Sequence, residues 1–570
     1  MAGALHNQKQ KQKMKIDPIP LSCLNKYIRC SLLAIGSAAL ILPYQAAAAF
    51  GYTASNGGYI VNNGANLVFT VDSGGDINSL IYRGIQVQNT GAASGIASGL
   101  GASSVTAKQT GNIILITCVS TSVAPSPLTH YYYVQNGVDN IYMADYVTAE
   151  PNVGELRYIG RFLYDVIPFG PPDSNNNGNT GNIESKDIYG HANGQTTSKY
   201  YGNTDDYLLT VNGATGNGIG VFMAYGSRES SSGGPFYHDI ENQGDGTNSD
   251  QEIYNYMNSG HNQTDQDRVN VLYGPYAYVF TTGATPAVPD MTLGGAVDNL
   301  GLTGWVNGAG RGRVVVNGLS GMNSAFTYLV TLTNAAAQYW TTATAGSGAA
   351  ECYGVKPGTY TMNIYKGQLV VDTIPGVVVT AGNSTTYHTI TITGDPSTVA
   401  TIWRIGDWDG TPLEFMNGAL IDQMHPSDVR MSPWVPATFT VGSTPTSSVP
   451  SVLFRGANSP ITIKFNLTAA QAEAAHTLKI GITDAYASGR PDPTINGNVL
   501  AGPGASAQPD SRSFTTGSFR GNNTTFSWSI PAADLVTGVN TLTIAPISGS
   551  SDLGAWLSAS FSFDCVELDN

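Results

Sequence analysis

Three observations predict an all-β chain of successive sandwiches. Apolar and polar residues alternate in short runs, as in GGYIVNNGANLVFTVDSGGDINSLIYRGIQV (Gly57–Val87), with clusters of Gly, Asn, Asp and Ser between the runs. Period two with a turn roughly every 8 to 12 residues is the pattern of antiparallel strands. Gly supplies 67 of the 570 residues while charged side chains make up only 12%, which describes a turn-rich, nearly neutral surface rather than charge-laced helices. Helical spacing is scarce; its best candidate, LTAAQAEAAHTL (Leu467–Leu478), is one stretch and leaves the class unchanged.

The chain opens on a leader. Lys9, Lys11, Lys13, Lys15, Lys26 and Arg29 face the single acid Asp17, and the apolar run SLLAIGSAALIL (Ser31–Leu42) and the small residues Ala46–Ala49 follow. This is the pattern of a secretory signal cleaved near Ala48. A run of this length is too short to cross about 30 Å of hydrocarbon, so an uncleaved anchor is the weaker reading. Six of the 26 bases and one of the 40 acids leave with residues 1–48, taking the formal charge from −14 to −19. The expectation is a secreted, extracellular, soluble monomer, with no membrane contact after cleavage and no nucleic-acid partner. Cys118, Cys352 and Cys565 remain; three widely spaced thiols make no disulfide framework and read as small buried apolar groups.

Composition shifts divide the remainder in three. TTGATPAVPDMTLG (Thr281–Gly294) places two Pro among small residues after the strand YAYVF, and a second junction at Thr393–Gly410 follows TYHTITIT. The expected units are residues 49–290, 291–395 and 396–570, sizes suited to one large sandwich, an immunoglobulin- or fibronectin-sized domain, and a last sandwich.

Within the first unit, ELRYIGRFL (Glu155–Leu163) reads as a strand that projects Arg157 and Arg161 from one face, where two guanidiniums suit carboxylates. GQTTSKYYGNTDDYLLTV sets Lys199 ahead of two tyrosines, and QEIYNYMNSGH puts Tyr254 and Tyr256 on one strand face with His261 at the following turn. An exposed tyrosine pair beside a loop histidine fits a sugar platform next to an acid or base, although such a pair on a strand also serves packing. GGPFYHDI adds His238 in another loop.

Other patterns carry less. DSNNNGNTGNIE (Asp173–Glu184) has the letters of a calcium loop but neither flanking helices nor enough charge, so it reads as a polar loop, with a structural Ca²⁺ left open. No spaced His or Cys set supports a transition metal. GLSGM (Gly318–Met322) lacks the strand–turn–helix setting of a nucleophile elbow.

Taken together, the segments SKYY, YNYMNSGH, IWRIGDWDGTP (Ile402–Pro412) and MHPSDVRMSPW (Met424–Trp434) resemble the rhamnogalacturonan lyases of polysaccharide lyase family 4 over nearly the whole mature chain. The resemblance implies a large galactose-mutarotase-like β-sandwich, a fibronectin type III-like domain, and a jelly-roll domain resembling carbohydrate-binding modules. It implies β-elimination on the rhamnose–galacturonic acid backbone of rhamnogalacturonan I, with no required cofactor. Arg157, assisted by Arg161, would hold the uronate carboxylate and stabilise the enolate-like state. Lys199, its pKa lowered from about 10.4 by nearby arginines and partial burial, would take the C5 proton, and His261 would protonate the leaving oxygen; the two roles could be exchanged. Tyr254 and Tyr256 would stack on or hydrogen-bond to sugar, and His238 stands where a positive residue, often Arg, is expected. The last unit is expected to serve polymer binding, separable from the chemistry. The alternatives are a non-catalytic carbohydrate-binding or adhesive surface protein, and a glycoside hydrolase drawing two carboxylates from Asp205, Asp206 and Asp239.

Overall fold

The computed structural model describes residues 49–121, 127–149, 155–184, 187–259, 266–504, 523–548 and 554–570. These are almost wholly β, in three successive sets of sheets. No helix among the described residues is long and apolar enough to cross a membrane. The one predicted helical stretch contains a single turn, Ala469–Ala472, started by a capping box between Thr468 and Gln471.

In the first set a seven-stranded sheet, a four-stranded sheet and a five-stranded sheet share one core. The seven-stranded sheet is apolar on both faces. In Ile113–Ser120, Ile114, Ile116 and Cys118 point into that core while Ile113 and Leu115 point outward. The outer face is covered by Met291, Val297, Leu300 and Leu302 of the segment that leads to the next domain. The four-stranded sheet carries Glu155–Leu163, hereafter the arginine strand, paired antiparallel with Asp250–Ser259, the tyrosine strand. Leu156, Tyr158 and Phe162 of the arginine strand enter the core, which turns Arg157, Ile159 and Arg161 to the opposite face.

The middle sandwich pairs a three-stranded sheet with a four-stranded one around Val314, Val316, Leu332, Met362 and Ile364. The last domain stacks two five-stranded sheets around residues such as Ile463, Phe465, Ile480, Leu542 and Phe561. All three cysteines of residues 49–570 are buried free thiols.

The domains are joined by polar and apolar contacts. Glu229 of the first is 7% exposed and receives Arg311 Nη1 and Nη2 at 2.7 and 3.0 Å, Lys356 Nζ at 2.8 Å and the Tyr339 hydroxyl at 2.8 Å from the middle domain. Burial alone would raise this carboxyl, but Arg311 and Lys356 outweigh it and hold the group below its ordinary value. Trp408 and Cys565 of the last domain insert into the core of the middle one.

Candidate active site

The site lies on the outer face of the four-stranded sheet. Register places Arg157 opposite Tyr256, Ile159 opposite Tyr254 and Arg161 opposite Glu252. The Arg157 guanidinium carbon lies 5.6 Å from the Tyr256 ring centroid, a cation–π contact, and its Nη1 pairs with Glu155 two residues earlier on the same face. Tyr200, Ile159, Ile240, Tyr254 and Tyr256 form one apolar cluster, so the loop after the strand Thr196–Ser198 closes over the tyrosine strand. Lys199 sits in that loop with its Nζ 5.9 Å from the Tyr200 ring centroid and 3.0 Å from Asp187 Oδ1. Lysine loop, arginine strand and tyrosine strand therefore meet at a single cluster of aromatic rings.

The tyrosines are not the exposed platform expected from the sequence. Tyr254 is 2% and Tyr256 6% exposed, because the lysine loop and Ile240 lie over them. Burial, aided by the charge of Glu252, holds the Tyr254 phenol well above its ordinary range. Burial and Asp239 do the same for Tyr256 against the pull of Arg157. Both hydroxyls stay protonated near neutrality, and that of Tyr254 donates to Glu252.

Comparison with known proteins decides the family. Residues 50–304 match the family described as "Rhamnogalacturonan lyase B, N-terminal", residues 310–387 match "Polysaccharide lyase family 4, domain II", and residues 401–568 match "Polysaccharide lyase family 4, domain III". The chain belongs to polysaccharide lyase family 4. It is 43% identical over 531 residues to rhamnogalacturonate lyase A of Aspergillus aculeatus, covering 91% of this chain and 96% of the relative. It is 42% identical over 542 residues to rhamnogalacturonate lyase A of Emericella nidulans, covering 93% and 98%.

In this family 4 lyase the remaining predicted residues are placed differently from one another. Arg161 is committed to the protein: its Nη1 donates to the Ala93 carbonyl at 2.8 Å, its Nε lies 3.4 Å from Glu252, and Glu252 accepts the Tyr254 hydroxyl. His238 is 5% exposed and bonds through Nδ1 to Asp205 Oδ1 at 2.9 Å. Its burial works against the charged form, but Asp205, with Asp422 and Glu241 further off, outweighs it and raises the pKa to about 9. His261 lies outside the described residues. The letters that resemble a calcium loop are engaged otherwise: Asn177 bonds the Tyr164 hydroxyl at 2.6 Å and Glu184 bonds His425 Nε2 at 2.8 Å. Among the described residues no group of three His, Cys, Asp or Glu is set to hold a metal.

Of the three acids offered for a hydrolase, Asp205 is half-buried and bonds His238, while Asp206 and Asp239 are buried. Asp206 pairs with Arg228 at 2.8 Å and is raised to about 7 by burial, while Asp239 accepts the Tyr237 hydroxyl at 2.7 Å. Asp206 is 6% and Asp239 4% exposed, so neither offers an open carboxylate to a sugar and a water.

Sequence reasoning overlooked the acidic partners. Alternation alone puts Glu155 on the face of Arg157 and Glu252 on the face of Tyr254, so two of them carried a signal. Asp187 lies across a hairpin and carried none.

Proposed function

We propose that this chain is an exported lyase that cleaves the rhamnose–galacturonic acid backbone of rhamnogalacturonan I by β-elimination. Membership of family 4 and the named relatives support the lyase activity. A polymer of the plant cell wall cannot enter a cell, and the basic and apolar leader in residues 1–48 agrees with action outside it.

The reaction removes the proton on C5 of galacturonate, forms the C4–C5 double bond and breaks the bond from C4 to its oxygen. Charge develops on the uronate carboxylate. Arg157 is proposed to meet it, since its side chain stays 19% exposed and is pre-aimed over Tyr256. Lys199 is proposed as the base; to act it must shed a proton and leave Asp187. His261 is proposed to protonate the departing oxygen. Tyr254 and Tyr256, kept neutral, are proposed to steady the substrate through the Tyr256 hydroxyl and the Arg157 geometry rather than by stacking on sugar.

The observation that carries this assignment is the cluster joining Tyr200, beside Lys199, to Tyr256, beneath Arg157. It supports an amine and a guanidinium acting from one face, the requirement for abstracting a proton α to a carboxylate. Incubation with debranched rhamnogalacturonan should produce near-ultraviolet absorbance from unsaturated uronate, lost in Lys199→Ala and in His261→Ala. Wild-type absorbance from either folded variant would remove that residue from the mechanism.

A further inference from the structure

The last domain reaches the loop that carries Lys199. Its segment 422–434 runs beside the hairpin Ile188–Ser198, and Ile188 and Tyr201 of the first domain share an apolar cluster with Ile421, Met424, Met431, Trp434, Val452 and Phe454 of the last. Tyr201 is fully buried there, two residues after Lys199.

Polar contacts hold the main chain on both sides of the lysine. Before it, Asp428 Oδ2 accepts from the Thr196 amide at 2.6 Å and from the Thr196 hydroxyl at 2.8 Å, and the Val429 amide donates to the Gly194 carbonyl at 3.2 Å. After it, the Gly202 amide donates to the Asp422 carbonyl at 3.4 Å. The Asp428 side chain is fully buried and is itself locked: Arg430 Nε donates to Oδ1 at 2.9 Å, Nη2 to Oδ2 at 2.8 Å, and the Arg430 amide to Oδ1 at 2.9 Å. The same Nη2 also reaches the Thr196 carbonyl at 3.2 Å, so the donor and acceptor of one peptide segment are gripped by one ion pair.

A carboxylate with five donors, buried at a domain boundary 232 residues from Thr196 in sequence, is more than what docking of two apolar faces requires. Its target is neither a core strand nor a domain linker but the residue three positions before the proposed base. We infer that Asp428 is a positioning residue of the lyase reaction, fixing through Thr196 the loop that presents Lys199 to the substrate. This rests on Lys199 being the proton-transferring amine. The last domain then completes the catalytic face, and the expectation that it serves polymer binding apart from the chemistry is revised.

The test uses the full chain with short rhamnogalacturonan oligosaccharides, measuring kcat and KM separately, together with thermal unfolding. Asp428→Asn keeps the shape but removes the charge; Thr196→Val removes the hydroxyl while leaving the Asp428–Arg430 pair intact; Thr196→Ser restores it. The expected result is a fall in kcat of about tenfold or more in Asp428→Asn and about threefold to tenfold in Thr196→Val, with KM within about twofold and near wild-type kcat in Thr196→Ser. A lowered unfolding temperature with kcat unchanged in both Asp428→Asn and Thr196→Val would reduce the contact to domain docking and overturn the inference. Should Asp428→Asn fail to fold, the Thr196 pair decides alone. Lys199→Ala separates the two levels. If it is inactive while both other variants keep full kcat, only the positioning role fails; if it keeps activity, the assignment beneath fails and this one with it.

Discussion

Arg157 and Tyr256 stand directly opposite each other on two antiparallel strands, the guanidinium carbon 5.6 Å from the ring centroid. The ring is buried, and the guanidinium stacked on it is held at one place on the face before substrate arrives. The neighbouring acid Glu155 balances that charge in the absence of a uronate.

Arg157→Ala should lower kcat/KM by about a thousandfold, because a developing carboxylate charge loses its partner. Arg157→Lys should recover only part of this, leaving a loss of about tenfold to a hundredfold, since an ammonium cannot present the planar fork. Steady-state kinetics on a defined oligosaccharide checks both, and equal activity for the lysine variant would argue against paired recognition.

Arg161 and Tyr254 should behave as a stability unit. Both converge on Glu252, so Tyr254→Phe should cost about 1–2 kcal/mol in unfolding free energy and affect turnover less than Arg157→Lys does. Denaturant unfolding and kinetics on the same preparation give the comparison.

Glu229→Gln should destabilise the union of the first and middle domains. It leaves Arg311 and Lys356 facing a neutral side chain at a nearly closed interface, a loss of about 3–5 kcal/mol when one partner of a buried pair is removed. Calorimetry should show a lower or split transition; an unchanged single transition would contradict the account of the interface.

Stability should fall as pH rises above neutrality. His238 is raised from 6.5 to about 9, so its contribution is complete below 6.5 and disappears as pH passes about 9. Asp206 and Glu241, raised by burial to about 7 and 8, keep protons that the unfolded chain releases, so their ionisation pulls in the same direction. His238→Gln should flatten the unfolding-temperature profile between pH 6.5 and 9, an effect of about 3 kcal/mol. A profile that climbs through this range would show the opposite linkage.

The strands were legible because burial on one face leaves a period of two in the chain, as in Gly358–Lys366, while burial on both faces leaves a short apolar run, as in Ile113–Ser120. Arg157, Lys199 and the tyrosine pair were legible by residue type and family likeness. The burial of Tyr254 and Tyr256 was not, since it depends on a loop some 50 residues earlier folding over them. The partner of His238 is 33 residues away, and that of Thr196 is 232 residues away, distances at which a single sequence gives no pairing signal. MHPSDVRMSPW was recognisable as a string, yet the work of Asp428 within it needed the three-dimensional arrangement.

Elimination at the face that Arg157 and Lys199 serve leaves a different mark on the cut backbone from hydrolysis. Cleavage of rhamnogalacturonan in water enriched in oxygen-18, followed by mass analysis of the products, tests it most directly. Elimination gives products with an unsaturated uronate at the new non-reducing end and no heavy oxygen at the cleaved bond. Products that carry one heavy oxygen per cut and no new double bond would contradict it.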